Sequence, residues 1–562
     1  MKTSYFALLL VALLAACSAP TPNPPTPDLS TATAFIPSVT PTETVLPSPT
    51  TEPTTAIPSP SPSPAATATS VRVNRPNIIF ILTDDLDTAE LDYMPRVQSL
   101  LTRQGASFSN YFVNVSLCCP SRSTTLRGQY AQNTQIFTND LPDGGYQKFH
   151  DVHDEDSTIA VWLQSAGYRT ALIGKYLNGY PGNQPPTYVP PGWNEWDSPA
   201  RGDPYGEYNY TLNENGKLVS YGATPQDYGT DVYAAKAINF VQRSIRNGKS
   251  FFLYLAPYAP HQPATPAPRH TNLFPDAQAP RTASYNEADV TTKPGYIRNR
   301  PLFTPARIRQ IDNLYRRRLQ SLQAVDEMVG HLIDTLKATG QLERTYFFFT
   351  SDNGFHLGQH RLEPGKNTPY EEDIRLPLVV RGPGIAAGST IDSLTGNVDL
   401  ALTWADLAGV KPPAFCDGRS LVPLWTGPIT SWRQAFLLQR GPPTMTQQQA
   451  QEELERQILA SAQNGTLEPP DDQGLLDAST PLPPRAIPPF QGLRTRDFTY
   501  VEYSTGEREL YDLRSDPNEL HNLAGTANPV FMAEMSARLA QLRACSGNTC
   551  RDIESQPFTT QP

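Results

Sequence analysis

Cysteine is scarce, six in 562 residues. The close pair in Cys545-Ser-Gly-Asn-Thr-Cys550 has no second pair to complete a metal knuckle. In an oxidising compartment it reads as a local disulfide. Positive charge is also short: 45 Lys and Arg stand against 55 Asp and Glu, for a formal net charge of −10. That balance excludes a general nucleic-acid-binding role. The N-terminal apolar run, Tyr5 to Leu14, is too short to remain as a membrane span. From Ser18 to about Ser70 the chain is Pro, Thr, Ser and Ala with hardly an aromatic, too little apolar surface to offset ordering entropy. No internal repeat divides the chain, so one large α/β domain with a smaller companion suits its length.

What is present begins with an export signal. Lys2, the apolar run and small residues make residues 1–16 a signal peptide. Leu14-Ala15-Ala16-Cys17 resembles the bacterial lipobox, which makes Cys17 the lipidated first residue and the tie to a membrane. The alternative is a plain secretory signal cut near Ala16. Residues 17–72 read as a disordered, semi-stiff spacer holding the rest off a membrane or wall. A catalytic domain is expected over 73–430 and a C-terminal subdomain over 431–562, with a surface insertion near 445–489.

The densest chemistry lies in Leu117-Cys118-Cys119-Pro120-Ser121-Arg122. Proline suits the first turn of a helix, so Cys118 is expected just ahead of a helix N-terminus, where free N–H groups favour anions. Arg122 adds a permanent cation one turn on. A nucleophile beside such an end suits attack on a tetrahedral oxyanion ester. The bland alternative is an inert buried cysteine pair capping a core helix.

Elsewhere a βα pattern ends its strands on polar side chains. Asn77–Thr83 is apolar and β-branched, the mark of a strand buried on both faces, and it ends at Asp84-Asp85. Arg169–Ile173 runs into Gly174-Lys175, Phe251–Ala256 leads to His261, and Tyr346–Thr350 ends at Ser351-Asp352-Asn353. Open α/β sheets bind ligands at the carboxyl ends of their strands. Adjacent acids there want a hard cation such as calcium, unless they merely cap the next segment. Further on come His356, His360 and Lys366, a strand at Leu376–Val380, short antiparallel strands from Leu493 to Asp512, and a closing helix at Phe531–Arg543.

Cys-x-Pro-Ser-Arg with Leu126-Arg127-Gly128 resembles the signature of type I sulfatases, in the alkaline phosphatase superfamily. Gly174-Lys175-Tyr176-Leu177-Asn178, Tyr208-Asn-Tyr-Thr211, Ser351-Asp-Asn-Gly354, Val380-Arg-Gly-Pro-Gly384 and the Cys545–Cys550 ending extend the likeness towards the N-acetylglucosamine-6-sulfatase branch. The resemblance implies a large, mostly parallel sheet flanked by helices, with a smaller C-terminal antiparallel sheet plus helix. It implies oxidation of Cys118 to formylglycine by a formylglycine-generating enzyme. It implies one calcium ion on Asp84, Asp85, Asp352, Asn353 and residue 118, with Arg122 steadying that residue. Lys175, His261 and Lys366 match positions that contact the sulfate or the leaving oxygen. Many sulfatases carry histidine where this chain has Leu177, which leaves the base open; His356 is the first candidate and His360 the second, unless both are ordinary loop histidines.

The implied reaction is hydrolysis of a sulfate monoester, in particular the 6-O-sulfate of N-acetylglucosamine in a sulfated glycan. Its charge suits calcium, Lys175, Lys366 and Arg122. One hydroxyl of the hydrated aldehyde attacks, and deprotonating the other expels sulfate. His261 or Lys366 protonates the leaving alcohol. Tyr176, Asn178, Tyr208 and Tyr210 are expected to contact the sugar. Three rivals use the same residues: an arylsulfatase, a phosphonate or phosphodiester hydrolase, and a sulfoglycan-binding lipoprotein with a dead site.

Overall fold

The computed structural model describes residues 75–429, 431–452, 455 and 486–560. The expected signal peptide, Cys17, the 17–72 spacer and most of the 445–489 insertion lie outside the described residues.

A ten-stranded sheet forms the centre. Its order across is Ser389–Ile391, Ala106–Phe108, Leu378–Arg381, Thr345–Ser351, Asn77–Thr83, Phe251–Ala256, Arg169–Gly174, Glu195–Gly202, Tyr210–Glu214 and Lys217–Tyr221. The run from Thr345–Ser351 to Glu195–Gly202 is parallel throughout. Asn77–Thr83 is buried at every residue because it pairs on both edges and is covered on both faces. Ile78, Phe80 and Leu82 pack in one layer with Leu163, Leu400 and Trp404. Ile79 and Ile81 face the other, with Val325, Val329 and Leu332. That second layer rests on one 34-residue helix, Pro305–Ala338. Thr304 caps it by accepting from the Arg307 N–H, and Pro305 occupies the first turn.

Two parts of the architecture go beyond the sequence reading. Glu195–Gly202, parallel to its neighbour on one side, pairs antiparallel with Tyr210–Glu214 on the other, and that strand pairs antiparallel with Lys217–Tyr221, so the sheet extends past its parallel part. The first carries Pro199 beside a bulge, a position at which a strand tolerates proline. The smaller sheet begins before the insertion, at Ala435–Arg440, and continues antiparallel through Phe490–Thr495, Phe498–Tyr503 and Arg508–Asp512. Gly506 turns the last hairpin at φ +84°. The Pro529–Arg543 helix packs its Phe531, Met535 and Leu539 into the same core. Cys545 and Cys550 are joined, as their spacing suggests, with Cα atoms 5.0 Å apart. Among the described residues no helix is long and apolar enough to cross a membrane.

Candidate active site

Thr345–Ser351, Asn77–Thr83, Phe251–Ala256 and Arg169–Gly174 are consecutive neighbours, so the four polar strand ends fall along one sheet edge. Thr83 pairs with Ser351, and Gly174 with Ala256. Asp84-Asp85, Asp352-Asn353 and Lys175 therefore leave the sheet side by side, with His261 following from the fourth strand. Two glycines are obligatory here. Gly174 has φ +101°, and a Cβ on it would lie 2.0 Å from the Ala256 carbonyl oxygen. A Cβ on Gly354 would lie 2.0 Å from the Glu372 carbonyl oxygen.

The helix Cys118–Arg127 supplies the fifth component, all ten residues buried. It starts one residue earlier than expected: Leu117 is the extended cap, Cys118 the first helical residue and Pro120 the third. Proline is still tolerated there because the first four N–H groups of a helix lack intrahelical partners. The Cys119 N–H donates to Asn139 Oδ1 at 2.9 Å.

Around Cys118 the charges alternate. Its thiol donates to Asp84 Oδ1 at 3.3 Å. Lys366 Nζ lies 2.9 Å from the same sulfur and 2.8 Å from Asp85 Oδ1. Lys175 Nζ is 2.6 Å from Asp84 Oδ2. Arg122 Nε donates to Asp352 Oδ2 at 2.8 Å, and Nη1 to the Lys175 carbonyl at 3.1 Å. His261 Nε2 is 3.6 Å from Asp85 Oδ2. Burial alone would raise the Asp84 carboxyl, but Lys175, His261 and Arg122 hold it below its ordinary value. Asp85 is lowered likewise, against burial, chiefly by Lys366 and His261. Burial, then Asp352 and Asp84, push the Cys118 thiol well up, so as a cysteine it is a protonated and poor nucleophile.

The donor set fits a hard divalent ion. Three buried carboxylates converge with the side-chain oxygen of Asn353, which is buried without a hydrogen-bond partner. The Asn353 amide nitrogen is meanwhile committed to Asp85 Oδ1 and the Gly354 carbonyl, at 2.7 and 2.9 Å. That leaves an orphaned oxygen of the kind calcium takes. By distance alone, Asp84, Asp85, Cys118 and His261 also form a candidate metal group. For calcium, Asp352 and Asn353 are the better partners of Asp84 and Asp85, because imidazole nitrogen suits softer ions.

Other expected residues are placed less directly. His356 is buried with Nδ1 held by Asp373, 2.9 and 3.1 Å from its two oxygens. Its backbone pairs with Gly365, next to Lys366. His360 lies in a different cluster, with Nδ1 2.8 Å from Glu287 Oε2 and its ring stacked on Tyr370. The expectation that Tyr176 and Tyr210 contact a sugar is corrected: they are 4% and 1% exposed, packed in the two aromatic cores. Tyr208 packs edge-on against Tyr228. The ring that does reach the site is Tyr205, half-buried, with Lys175 Nζ 4.9 Å above it and the His261 ring 4.6 Å away. A tyrosine in a loop carries no periodic signal by which to choose it.

Arg318, on the long helix, was also not expected. It is 0% exposed, pairs with Glu90 at 2.6 and 2.8 Å, and donates to the Asp85 carbonyl. Asp85 has φ +68°, a left-handed conformation that needs such outside support.

An α/β sheet whose strand ends converge buried acids, cations and a helix N-terminus on one residue defines a hydrolase of tetrahedral oxyanion esters. Residues 76–410 match the family model described as Sulfatase, and the chain belongs to the sulfatase family. It is 35% identical to human N-acetylglucosamine-6-sulfatase over 488 residues, covering 85% of this chain and 86% of that one. An extracellular sulfatase Sulf-1 homolog of Caenorhabditis elegans is 40% identical over 65% of this chain, but the match spans only 52% of that longer protein. A protein solved in complex with its substrate D-glucosamine-2-N,6-O-disulfate superposes with a TM-score of 0.67 at 25% identity, covering 86% of this chain and 99% of that one. The chain thus shares the fold of the sulfatases as well as their family model.

Proposed function

We propose that this sulfatase removes the 6-O-sulfate of N-acetylglucosamine residues in sulfated glycans, using Cys118 oxidised to formylglycine and one calcium ion. The observation that carries the reading is the convergence of Asp84, Asp85, Asp352 and the orphaned Asn353 oxygen with Lys175, Lys366 and Arg122 on the first residue of a helix. The substrate rests on the human relative and on the glucosamine disulfate bound by the structural neighbour.

Asp84, Asp85, Asp352 and Asn353 would hold calcium, which when bound supplies positive charge to the ester's oxygens. The aldehyde form of residue 118 supplies, as its hydrate, a nucleophile that the buried thiol cannot. The chain's own groups do the rest. Arg122, fixed between Asp352 and Asp84, locks the first turn of the helix. Lys175 and Lys366 bring cations to either side of residue 118 and neutralise charge on the transferring group. The Gln262 carbonyl, 2.7 Å from His261 Nδ1, keeps a proton on that nitrogen and leaves Nε2 to exchange one with the leaving alcohol. Asp373 holds His356 in the same tautomer, ready to act as a base.

Cys118 is 0% exposed, so the formylglycine-generating enzyme must reach it before the domain closes around it. We place the mature enzyme outside the cytoplasm, with residues 1–16 removed and a lipid on Cys17 joined through 17–72 to a catalytic domain at 73–430 and a C-terminal subdomain at 431–562. The test is kcat/KM on 6-sulfated N-acetylglucosamine, galactose sulfates, nitrophenyl sulfate and nitrophenyl phosphate. The sulfated glucosamine should lead. A preference for galactose or aryl sulfate would overturn the sugar, and a preference for phosphate would overturn the sulfate-ester reading itself.

A further inference from the structure

Away from Cys118, three side chains from distant parts of the chain meet in the interior. His360 and Glu372 flank the Lys366 loop, and Glu519 follows the last strand of the small sheet. One ligand atom from each lies within 4.8 Å of the other two. Each side chain is anchored through one atom and leaves another toward the gap. His360 Nδ1 is held by Glu287 Oε2 at 2.8 Å. Glu372 Oε1 accepts from Ser284 Oγ at 3.1 Å. Glu519 Oε2 accepts from the Glu371 N–H at 3.0 Å. The remaining atoms include His360 Nε2 and Glu519 Oε1, both buried without a hydrogen-bond partner in residues 1% exposed. Glu372 Oε2 stands 3.9 Å from His360 Nε2.

The Glu287 carboxylate on His360 Nδ1 is the arrangement that orients a metal-binding imidazole. A carboxylate on the far nitrogen of a histidine fixes the tautomer and turns the other nitrogen's lone pair toward a metal. The charge points the same way. Glu287 and Glu519 face the ammonium of Lys293, which is 3.9 Å from Glu287 Oε2 and donates to the Glu519 carbonyl, and the Arg361 guanidinium donates to the Glu287 carbonyl, so three glutamates meet two cations. Arg494 and Arg375 are committed to Glu371. Buried carboxylates in excess over cations are costly unless an ion compensates them.

We propose that His360, Glu372 and Glu519 bind a zinc-class dication that ties the Lys366 loop to the C-terminal sheet. One imidazole and two carboxylates suit zinc rather than calcium. The Glu372 side chain, 16% exposed, leaves an open side for a water ligand.

The test uses the full chain, stripped with chelator and reloaded with saturating calcium, then titrated with Zn2+ alone. Bound metal is counted by elemental analysis and the thermal midpoint is followed. The wild type should take up one zinc with a rise in midpoint. Glu519→Gln and Glu372→Gln should each lose the zinc yet keep calcium and circular dichroism, and Glu287→Gln should weaken zinc roughly 10- to 100-fold. Two results overturn the proposal: no zinc in the wild type, in which case the carboxyls share protons instead, or undiminished zinc in both Glu519→Gln and Glu372→Gln.

Discussion

Arg318→Met is a sharp test of how the fold holds its acids. The substitution keeps an apolar stem of similar length and removes a fully buried guanidinium. Glu90, also 0% exposed, loses both guanidinium hydrogen bonds and the ion pair with them, and keeps the bond it accepts from the Asp87 N–H at 3.0 Å. Stranding one member of a buried pair costs about 3–5 kcal/mol. The Asp85 carbonyl also loses its donor, which frees a left-handed residue at the head of the acids proposed to hold calcium. Misplacing such a group by an ångström costs on the order of 100-fold in rate. Denaturant unfolding should therefore show the stability loss, and kcat should fall with calcium content. Adding Glu90→Gln removes the stranded charge, so the double variant should recover much of the stability, a coupling of about 2 kcal/mol, but not the activity. If the single variant is as stable as the wild type, or the double variant is worse than the single, the reasoning fails.

Cys118→Ala should abolish turnover with the fold intact, whereas Cys119→Ala should keep substantial activity; the reverse pattern in a kinetic assay would mean the wrong cysteine. Asp352→Ala should lower calcium content and activity together, and full occupancy by metal analysis would remove Asp352 from the ligand set. Glu207 is buried and pushed up to about 8 by burial, while it accepts from the Thr230 N–H and hydroxyl. A raised folded value means stability that is present below the unfolded carboxyl range and lost as pH rises through about 8. Glu207→Gln should therefore be more stable than the wild type at pH 8, by on the order of 2–4 kcal/mol, and lack that decline; parallel pH–stability curves would contradict it.

Much of this was legible because buried parallel strands write themselves as unbroken apolar runs. Asn77–Thr83 and Phe251–Ala256 have the same bounds in sequence and structure. Their polar ends also marked the residues that the structure gathers into the candidate site, since a charged pair directly after such a run has few other uses. The antiparallel edge at Glu195–Tyr221 was not legible: it mixes proline, glycine and charge, and only pairing makes it a sheet. Nor were Arg318 and Tyr205, whose roles arise from distant contacts. The aromatic residues of Gly174–Asn178 and Tyr208–Thr211 misled for a related reason. Tyr176 and Tyr210 sit near polar motifs in sequence, yet a large ring in a strand or beside a core helix gains more from burial than from solvent.

The central claim is that residue 118 works as an aldehyde. Mass analysis of the peptide spanning Leu117–Arg122, from enzyme co-produced with a formylglycine-generating enzyme, tests it most directly when read beside turnover of a sulfate ester. The account predicts an aldehyde in place of the thiol at Cys118, an untouched Cys119, and activity that rises with the oxidised fraction. An active enzyme whose Cys118 is wholly thiol would contradict it.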